Sequence, residues 1–274
     1  SSESVIGNTG SRRHGVRSEA NRSQTTAHAE SLTPAAQLHA LRPMLLPAVL
    51  SQHPRRGPGI VAAGGARWKG RAGIEPLDLN GVKIFKGWLG LEDQRALVEQ
   101  VRAVAEVAPF VRPMTPWGKP MSVRMTSAGR VGWITDGKGY RYADRHPEGM
   151  AWPPIPPGAL SVWEALSDWP ESPDCCLVNF YAEKAKMGLH QDKDEVEFDA
   201  PVVSISLGDP AVFRVGGTKR SDPTASILLE SGDVAVMGGD ARLAYHGIDR
   251  VRFGGSSLLP NGGRINLTLR VVRN

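Results

Sequence analysis

The 274-residue sequence predicts a mainly β protein with flanking helices, built as an antiparallel double sheet of the jelly-roll type. Three observations lead there. Short apolar stretches with strand-like patterning recur from Cys175 to the C-terminus. Turn residues such as Gly216-Gly217, Ser231-Gly232 and Gly262-Gly263 separate them. Ahead of them one segment has helical spacing, and the sequence contains no repeat that would mark a propeller or solenoid.

Residues 1–72 hold nine Arg and one Lys against three Glu, a net charge of +7, whereas the whole chain carries +5, so residues 73–274 carry −2. This stretch is rich in Ser, Ala, Gly and Pro and lacks a sustained period, which predicts a disordered basic leader and places the folded domain at 73–274. The leader can be read as an electrostatic arm for phosphates or as an Arg-rich targeting peptide. Glu3, Glu19 and Glu30 argue against targeting. The simplest expectation is an unstructured extension or an upstream start site, the sequence beginning without Met.

Gly81 to Phe85 reads as a strand and Leu91 to Ala108 as a helix. Leu97, Val98, Val101 and Val104 recur on one helical face, Glu92 and Asp93 suit the positive N-terminal end, and the helix is expected to cover one face of a sheet. Residues of about 111–157 are expected to form a lid. Within them, Val131–Thr135, a four-residue turn Asp136-Gly137-Lys138-Gly139 and Tyr140–Tyr142 predict a hairpin. Its register sets Trp133 opposite Tyr142 with Tyr140 on the same side, an aromatic surface on which an extruded base can stack. Aromatic cross-strand pairs that merely stabilise a hairpin are the alternative. His146, in the loop-like stretch Asp144–Pro157, is read as exposed. The barrel strands are expected at Cys176–Tyr181, Val202–Leu207, Val212–Val215, Ile227–Leu229, Asp233–Met237, Leu243–His246 and Ile265–Val272.

The chemistry rests on two patterns. In His190-Gln191-Asp192, period-2 alternation puts the imidazole and the carboxylate on one face, and His246 can return from a distant strand as a third ligand. Two His and one carboxylate suit ferrous iron and leave positions open for a co-substrate and O2. A satisfied core histidine is the alternative reading of a lone His-x-Asp pair. The second pattern is Arg264-Ile265-Asn266-Leu267-Thr268-Leu269-Arg270, whose alternation sends Arg264, Asn266, Thr268 and Arg270 to one face. Two guanidiniums on an inward face require an anion, and a dicarboxylate such as 2-oxoglutarate matches their fork geometry. A solvated polar face is the alternative.

Composition narrows the class. Apolar residues make up 41% and charged residues 22%, which fits a globular protein rather than a disordered one. No apolar run reaches membrane-spanning length. Cys175 and Cys176 are adjacent and cannot staple distant parts, so they read as small residues of a buried strand in a reducing compartment.

Together the segments Asn179-Phe180-Tyr181, Leu189-His190-Gln191-Asp192-Lys193-Asp194-Glu195, Pro201 to Gly208, Gly232-Asp233 with Gly238-Gly239, Tyr245-His246-Gly247-Ile248 and Arg264 to Arg270 resemble the bacterial AlkB nucleic-acid dealkylases, in order and in spacing, over about residues 77–274. Phe180 and Ile265 depart from the best-known member, which carries an arginine and an aromatic there. The resemblance implies a double-stranded β-helix dioxygenase core with an N-terminal nucleotide-recognition lid. It implies Fe(II) on His190, Asp192 and His246, with 2-oxoglutarate and O2 as co-substrates. Arg270 and Asn179 would take the near carboxylate, and Arg264, Asn266 and Tyr181 the far one. Trp133 would match the base-stacking tryptophan, and Tyr140, Tyr142, Asp194 and Arg220 the substrate contacts, with Lys193 and Lys219 near phosphates. The activity implied is oxidative demethylation of bases such as N1-methyladenine and N3-methylcytosine in single- or double-stranded DNA, with RNA open, releasing succinate, CO2 and formaldehyde. The expected protein is a cytoplasmic monomer without a membrane segment. Two rivals remain: an Fe(II)/2-oxoglutarate hydroxylase of an amino acid or protein, and a non-catalytic jelly-roll binding module.

Overall fold

The computed structural model describes residues 70, 71, 73–115, 117–136 and 139–272. The readings made for the leader lie outside the described residues, apart from its last positions, where the Arg71 backbone N–H donates to Trp88 O at 3.2 Å. In chain order the elements are β1 (Leu77–Leu79), β2 (Val82–Phe85), helix α1 (Leu91–Val107), β3 (Arg124–Gly129), β4 (Gly132–Asp136) and β5 (Gly139–Ala143). Helix α2 (Pro157–Leu166), β6 (Cys175–Tyr181), β7 (Met187–His190), β8 (Val202–Gly208) and β9 (Ala211–Val215) follow. Then come β10 (Ala225–Leu229), β11 (Val234–Met237), β12 (His246–Val251) and β13 (Arg264–Arg270).

The strands form a seven-stranded sheet, β1-β2-β11-β8-β13-β6-β3, and a four-stranded sheet, β10-β9-β12-β7, with β4 and β5 as a separate hairpin. All the pairings are antiparallel. Alternation along β13 and its neighbours generates two apolar layers. Ile265, Leu267 and Leu269 pack with Val178, Val203 and Ile205 against α1 (Leu97, Val98, Val101, Val104) and α2 (Ala159, Val162, Trp163). The opposite face joins Cys175, Leu177 and Tyr181 to Phe213, Val215 and Ile248 of the smaller sheet. Each fully buried Val, Leu or Ile among these contributes about 1.5–3 kcal/mol. Cys175 and Cys176 thus lie in different layers, both free and fully buried, as small residues of a central strand.

Several elements differ from the sequence expectation. β1 was not anticipated, although Asn80 and Gly81 both take positive φ (51° and 82°) and join β1 to β2 in a two-residue hairpin. α2 begins on Pro157, whose fixed φ suits a first helical position, so the proline-rich run before it conceals a helix start. β3 and β7 have weak apolar alternation and exist through tertiary pairing, β3 with β6 and β7 with β12. The strand expected at Leu243–His246 is instead a turn, and β12 starts where that strand was to end. The β4–β5 ladder runs to Asp136↔Gly139, so the hairpin connection is two residues rather than four. His146 is buried, not exposed: its Nε2 lies 2.9 Å from Pro109 O, its Nδ1 accepts from the Glu148 N–H at 3.1 Å, and its ring meets Trp152 edge-on. With both nitrogens committed, it is tied into the fold and turned away from ligand duty. Among the described residues no helix is long and apolar enough to cross a membrane.

Candidate metal centre

The smaller sheet brings two imidazoles together. β7 and β12 pair so that His190 lies directly opposite His246, with ring centroids 4.5 Å apart. Gly247 permits this approach, since a Cβ there would lie 2.5 Å from Met187 O. Asp192 follows β7 by two residues and is buried, its Oδ1 3.6 Å from His190 Nε2 and its Oδ2 3.7 Å from His246 Nε2. The residue between is anchored as well, the Gln191 side-chain amide donating to Leu243 O at 2.7 Å. Both Nδ1 atoms face backbone carbonyls, Gly188 O and Ala244 O, each at 2.9 Å. Nδ1 is therefore the protonated nitrogen and the Nε2 lone pairs converge on the carboxylate. The ligand atoms of His190, Asp192 and His246 all lie within 4.8 Å of one another.

Electrostatics keep this cradle in ligating form. Burial alone would push the Asp192 carboxyl up, but Arg270, with His246, His190 and Arg242, overcomes burial and holds it well below the usual carboxylate range. Burial lowers the His246 imidazole to about 4 despite the opposing pull of Asp192, so it is neutral at pH 7.

A buried ionic network surrounds the carboxylate. Arg270 Nη2 contacts Asp192 Oδ2 at 2.8 Å as an ion pair, and Arg270 Nη1 donates to Glu195 Oε1 and Tyr142 Oη, both at 3.0 Å. The Tyr142 hydroxyl in turn donates to Glu195. Arg242 reaches Glu195 Oε2 at 3.3 Å and also donates to Asp192 O at 2.7 Å and Ala200 O at 2.9 Å. Sequence reading missed both Glu195 and Arg242. Glu195 looks like one more acid in a solvated loop, and only burial distinguishes it from exposed Asp194.

Next to the metal cradle, β13 carries two buried arginines. All seven β13 residues are buried, which rules out a solvated polar face. Arg264 is 1% exposed and donates from Nη2 to Ser206 Oγ at 3.0 Å, with its guanidinium 5.3 Å over the Tyr181 ring. Its Nε and Nη1 have no hydrogen-bond partner among the described residues, nor do Arg270 Nε and Asn179 Oδ1. Asn266 is held by Ser204 Oγ at 2.7 Å and lies 3.5 Å from the Asn179 amide. One cleft between the sheets is lined by Tyr181, His190, Ser204, Arg264 and Asn266, so it reaches from one imidazole of the metal cradle to the buried guanidinium. An unpaired buried charge of this kind costs several kcal/mol unless an anion meets it. The residues therefore fit a divalent metal beside a carboxylate-bearing co-substrate.

The residues expected to contact a substrate divide. Trp133 and Tyr142 are cross-strand partners. Trp133 stacks on Tyr140, centroids 5.3 Å apart and planes at 20°, and its Nε1–H donates to Asp194 Oδ2 at 3.0 Å. Tyr142 differs, its hydroxyl being committed to the buried network. Arg220 is exposed beside the cradle, donating to Leu189 O at 2.8 Å with its guanidinium over the Tyr245 ring. Lys193 and Lys219 are exposed. The two departures from the family pattern, Phe180 and Ile265, both lie in the helix-side layer, Phe180 against Phe110, so neither lines the cleft.

Comparison with known proteins agrees with this geometry. The model of the 2OG-Fe(II) oxygenase superfamily matches residues 81–270. An alpha-ketoglutarate-dependent dioxygenase AlkB homolog of Caulobacter vibrioides is 57% identical over 194 residues, covering 70% of this chain and 88% of the relative. The DNA N(6)-methyladenine demethylase ALKBH1D of Arabidopsis thaliana is 40% identical over 116 residues, covering 36% of this chain and 25% of that protein. The solved structure of OsALKBH1 superposes with a TM-score of 0.60 at 31% identity, covering 72% of this chain and 99% of that one. The triad of His190, Asp192 and His246 and the double sheet that carries it are thus those of a 2OG-Fe(II) oxygenase, and the chain belongs to the AlkB family within that superfamily.

Proposed function

We propose that the protein removes alkyl groups from damaged nucleic-acid bases, oxidising N-methyl carbons such as those of N1-methyladenine and N3-methylcytosine. The single observation that carries this reading is the aromatic hairpin beside the metal cradle: Trp133 stacks on exposed Tyr140 and is tethered to Asp194, two residues beyond a metal ligand. An enzyme acting on an amino acid has no need of stacked rings there, whereas a flipped base gains about 1–3 kcal/mol from such a surface. The DNA demethylase named among the relatives supports the same substrate class.

In this reading His190, Asp192 and His246 hold the iron through two Nε2 atoms and a carboxylate oxygen. Arg264, through its unpaired Nε and Nη1, takes the far carboxylate of 2-oxoglutarate, with Asn266 and Tyr181 beside it. Arg270 keeps Asp192 ionised and offers its free Nε to the near carboxylate, with Asn179. Bound iron supplies the O2 chemistry that converts 2-oxoglutarate to succinate and CO2 as the substrate methyl is hydroxylated; the hydroxymethyl group then leaves as formaldehyde. Trp133 and Tyr140 hold the base, Asp194 accepts from its exocyclic amine, and Arg220 is positioned for a flanking phosphate. The partner is DNA, single- or double-stranded, with RNA as a second candidate. The reading also takes the protein as a cytoplasmic monomer, a setting that suits two free cysteines.

The experiment is succinate and formaldehyde release by the iron-loaded protein with a methylated single strand, the same unmodified strand, and no strand. Formaldehyde released only from the methylated strand is expected. Succinate release indifferent to nucleic acid would turn the assignment to a hydroxylase of another substrate.

A further inference from the structure

The buried acid Glu195 sits where three parts of the site meet. One carboxylate oxygen receives two donors, the Tyr142 hydroxyl from hairpin strand β5 and Arg270 Nη1 from β13. The other receives Arg242, whose second nitrogen pins the backbone carbonyl of Asp192. Arg270 meanwhile contacts the Asp192 carboxylate itself. Two carboxylates and two guanidiniums therefore balance in a space closed to solvent, which makes the arrangement rigid and sensitive to the loss of any one member.

The next residue back completes a second tie. Asp194 points outward to Trp133, and Trp133 and Tyr142 are direct partners across the β4–β5 ladder. Consecutive residues of the loop that carries Asp192 thus grip both members of one cross-strand pair on the hairpin. Any displacement of Trp133 or Tyr142 acts on the backbone that positions the metal-binding carboxylate.

We propose that Glu195 is a positioning residue that couples base binding on the β4–β5 hairpin to the metal centre, through Tyr142 on one side and Arg270 and Arg242 on the other. The coupling rests on the reading of the hairpin as the base-binding surface. Occupancy of the hairpin steadies the Asp192 loop, and an empty hairpin leaves it less constrained, so methyl oxidation is matched to the presence of a base. Binding free energies coupled in this way are reciprocal, so a methylated strand must also strengthen metal binding.

The test compares wild type with Glu195→Gln, Tyr142→Phe and the double variant in two measurements. The first is the affinity for Mn(II), with 2-oxoglutarate present, in the presence and absence of a short methylated strand. The second is the ratio of formaldehyde to succinate released by the iron-loaded enzyme. In wild type the strand should tighten Mn(II) binding about fivefold or more and the ratio should be close to one. In each single variant the strand's effect on Mn(II) should be largely lost and the ratio should fall several-fold, with the double variant no worse than either. If Glu195→Gln does not fold, Tyr142→Phe, which removes one hydroxyl, carries the test alone. A wild-type ratio and a wild-type Mn(II) response in Tyr142→Phe overturn the proposal, as does a loss in which succinate and formaldehyde fall in equal proportion. Wild-type protein that releases no formaldehyde from any methylated strand defeats the assignment of substrate instead.

Discussion

His190 and His246 are direct partners across the β7–β12 ladder, yet they differ in surroundings: the His190 side chain is 40% exposed and that of His246 is 9% exposed. Asp192 stands between them and is also the counter-charge of Arg270. Removing each ligand should therefore abolish iron-dependent turnover but affect stability unequally. His190→Ala should unfold near the wild-type temperature. Asp192→Ala leaves the buried Arg270 guanidinium with Glu195 as its one remaining carboxylate among the described residues, and should lose a few kcal/mol. Thermal melts of the metal-free variants check the order, and an Asp192→Ala protein as stable as His190→Ala would contradict it.

The neutral state of His246 makes a pH prediction for the metal-free protein. Burial holds this group at about 4 in the fold, against 6.5 for an unperturbed imidazole. On acidification the unfolded chain takes up the proton first, so the contribution to stability is complete above about 6.5 and is lost as the pH falls towards 4. The loss is of the order of 3 kcal/mol, at about 1.4 kcal/mol for each pH unit. Asp192, held below its ordinary range, adds a further loss below about pH 4 as its carboxylate is titrated in the unfolded chain. Urea unfolding at pH 7.0, 5.5 and 4.5 reads the trend, and a constant free energy over that range would refute it.

Arg264 should show stability and activity moving in opposite directions. Its guanidinium is buried with two nitrogens unpaired among the described residues, a cost that the proposed binding of a carboxylate would relieve. Arg264→Met should leave the metal-free protein as stable as wild type or more so, while raising the 2-oxoglutarate concentration for half-maximal turnover at least about tenfold. Arg264→Lys should not restore affinity, because a point charge cannot reproduce the fork. Recovery of normal affinity by the lysine variant would show that charge alone suffices.

Trp133→Ala removes a ring that stacks on Tyr140 and releases Asp194. The concentration of methylated strand for half-maximal repair should rise by a factor corresponding to about 1–3 kcal/mol. Strand-independent succinate release should persist, because the metal and Arg264 sites stand on β7, β12 and β13. Equal loss of both activities with a lower melting temperature would make Trp133 a structural residue.

Much of this site is written locally. His-x-Asp places two ligands by alternation alone, and the seven residues of β13 divide into an apolar and a polar face that the structure buries on opposite layers. The hairpin register that sets Trp133 against Tyr142 follows from local spacing too. What spacing hides is burial. His146 reads as an exposed loop residue and is packed under Trp152, and Glu195 reads as a solvated acid and is enclosed by two arginines and a tyrosine. β3 and β7 have too little pattern to be recognised, since their hydrogen bonds come from strands far away in the chain.

Local pattern selects the atoms that can do the chemistry: two imidazoles and a carboxylate at metal-binding spacing, a strand with two guanidiniums on one face, and a hairpin of aromatic rings. How those charges are shared depends on packing between distant segments. Arg270 pairs with Asp192 and Glu195, while two Arg264 nitrogens have no partner among the described residues. The division arises because the strength of a charge depends on what else is buried around it. That environment is assembled from β5, β13 and the loops before β8 and β12, segments that no local pattern connects.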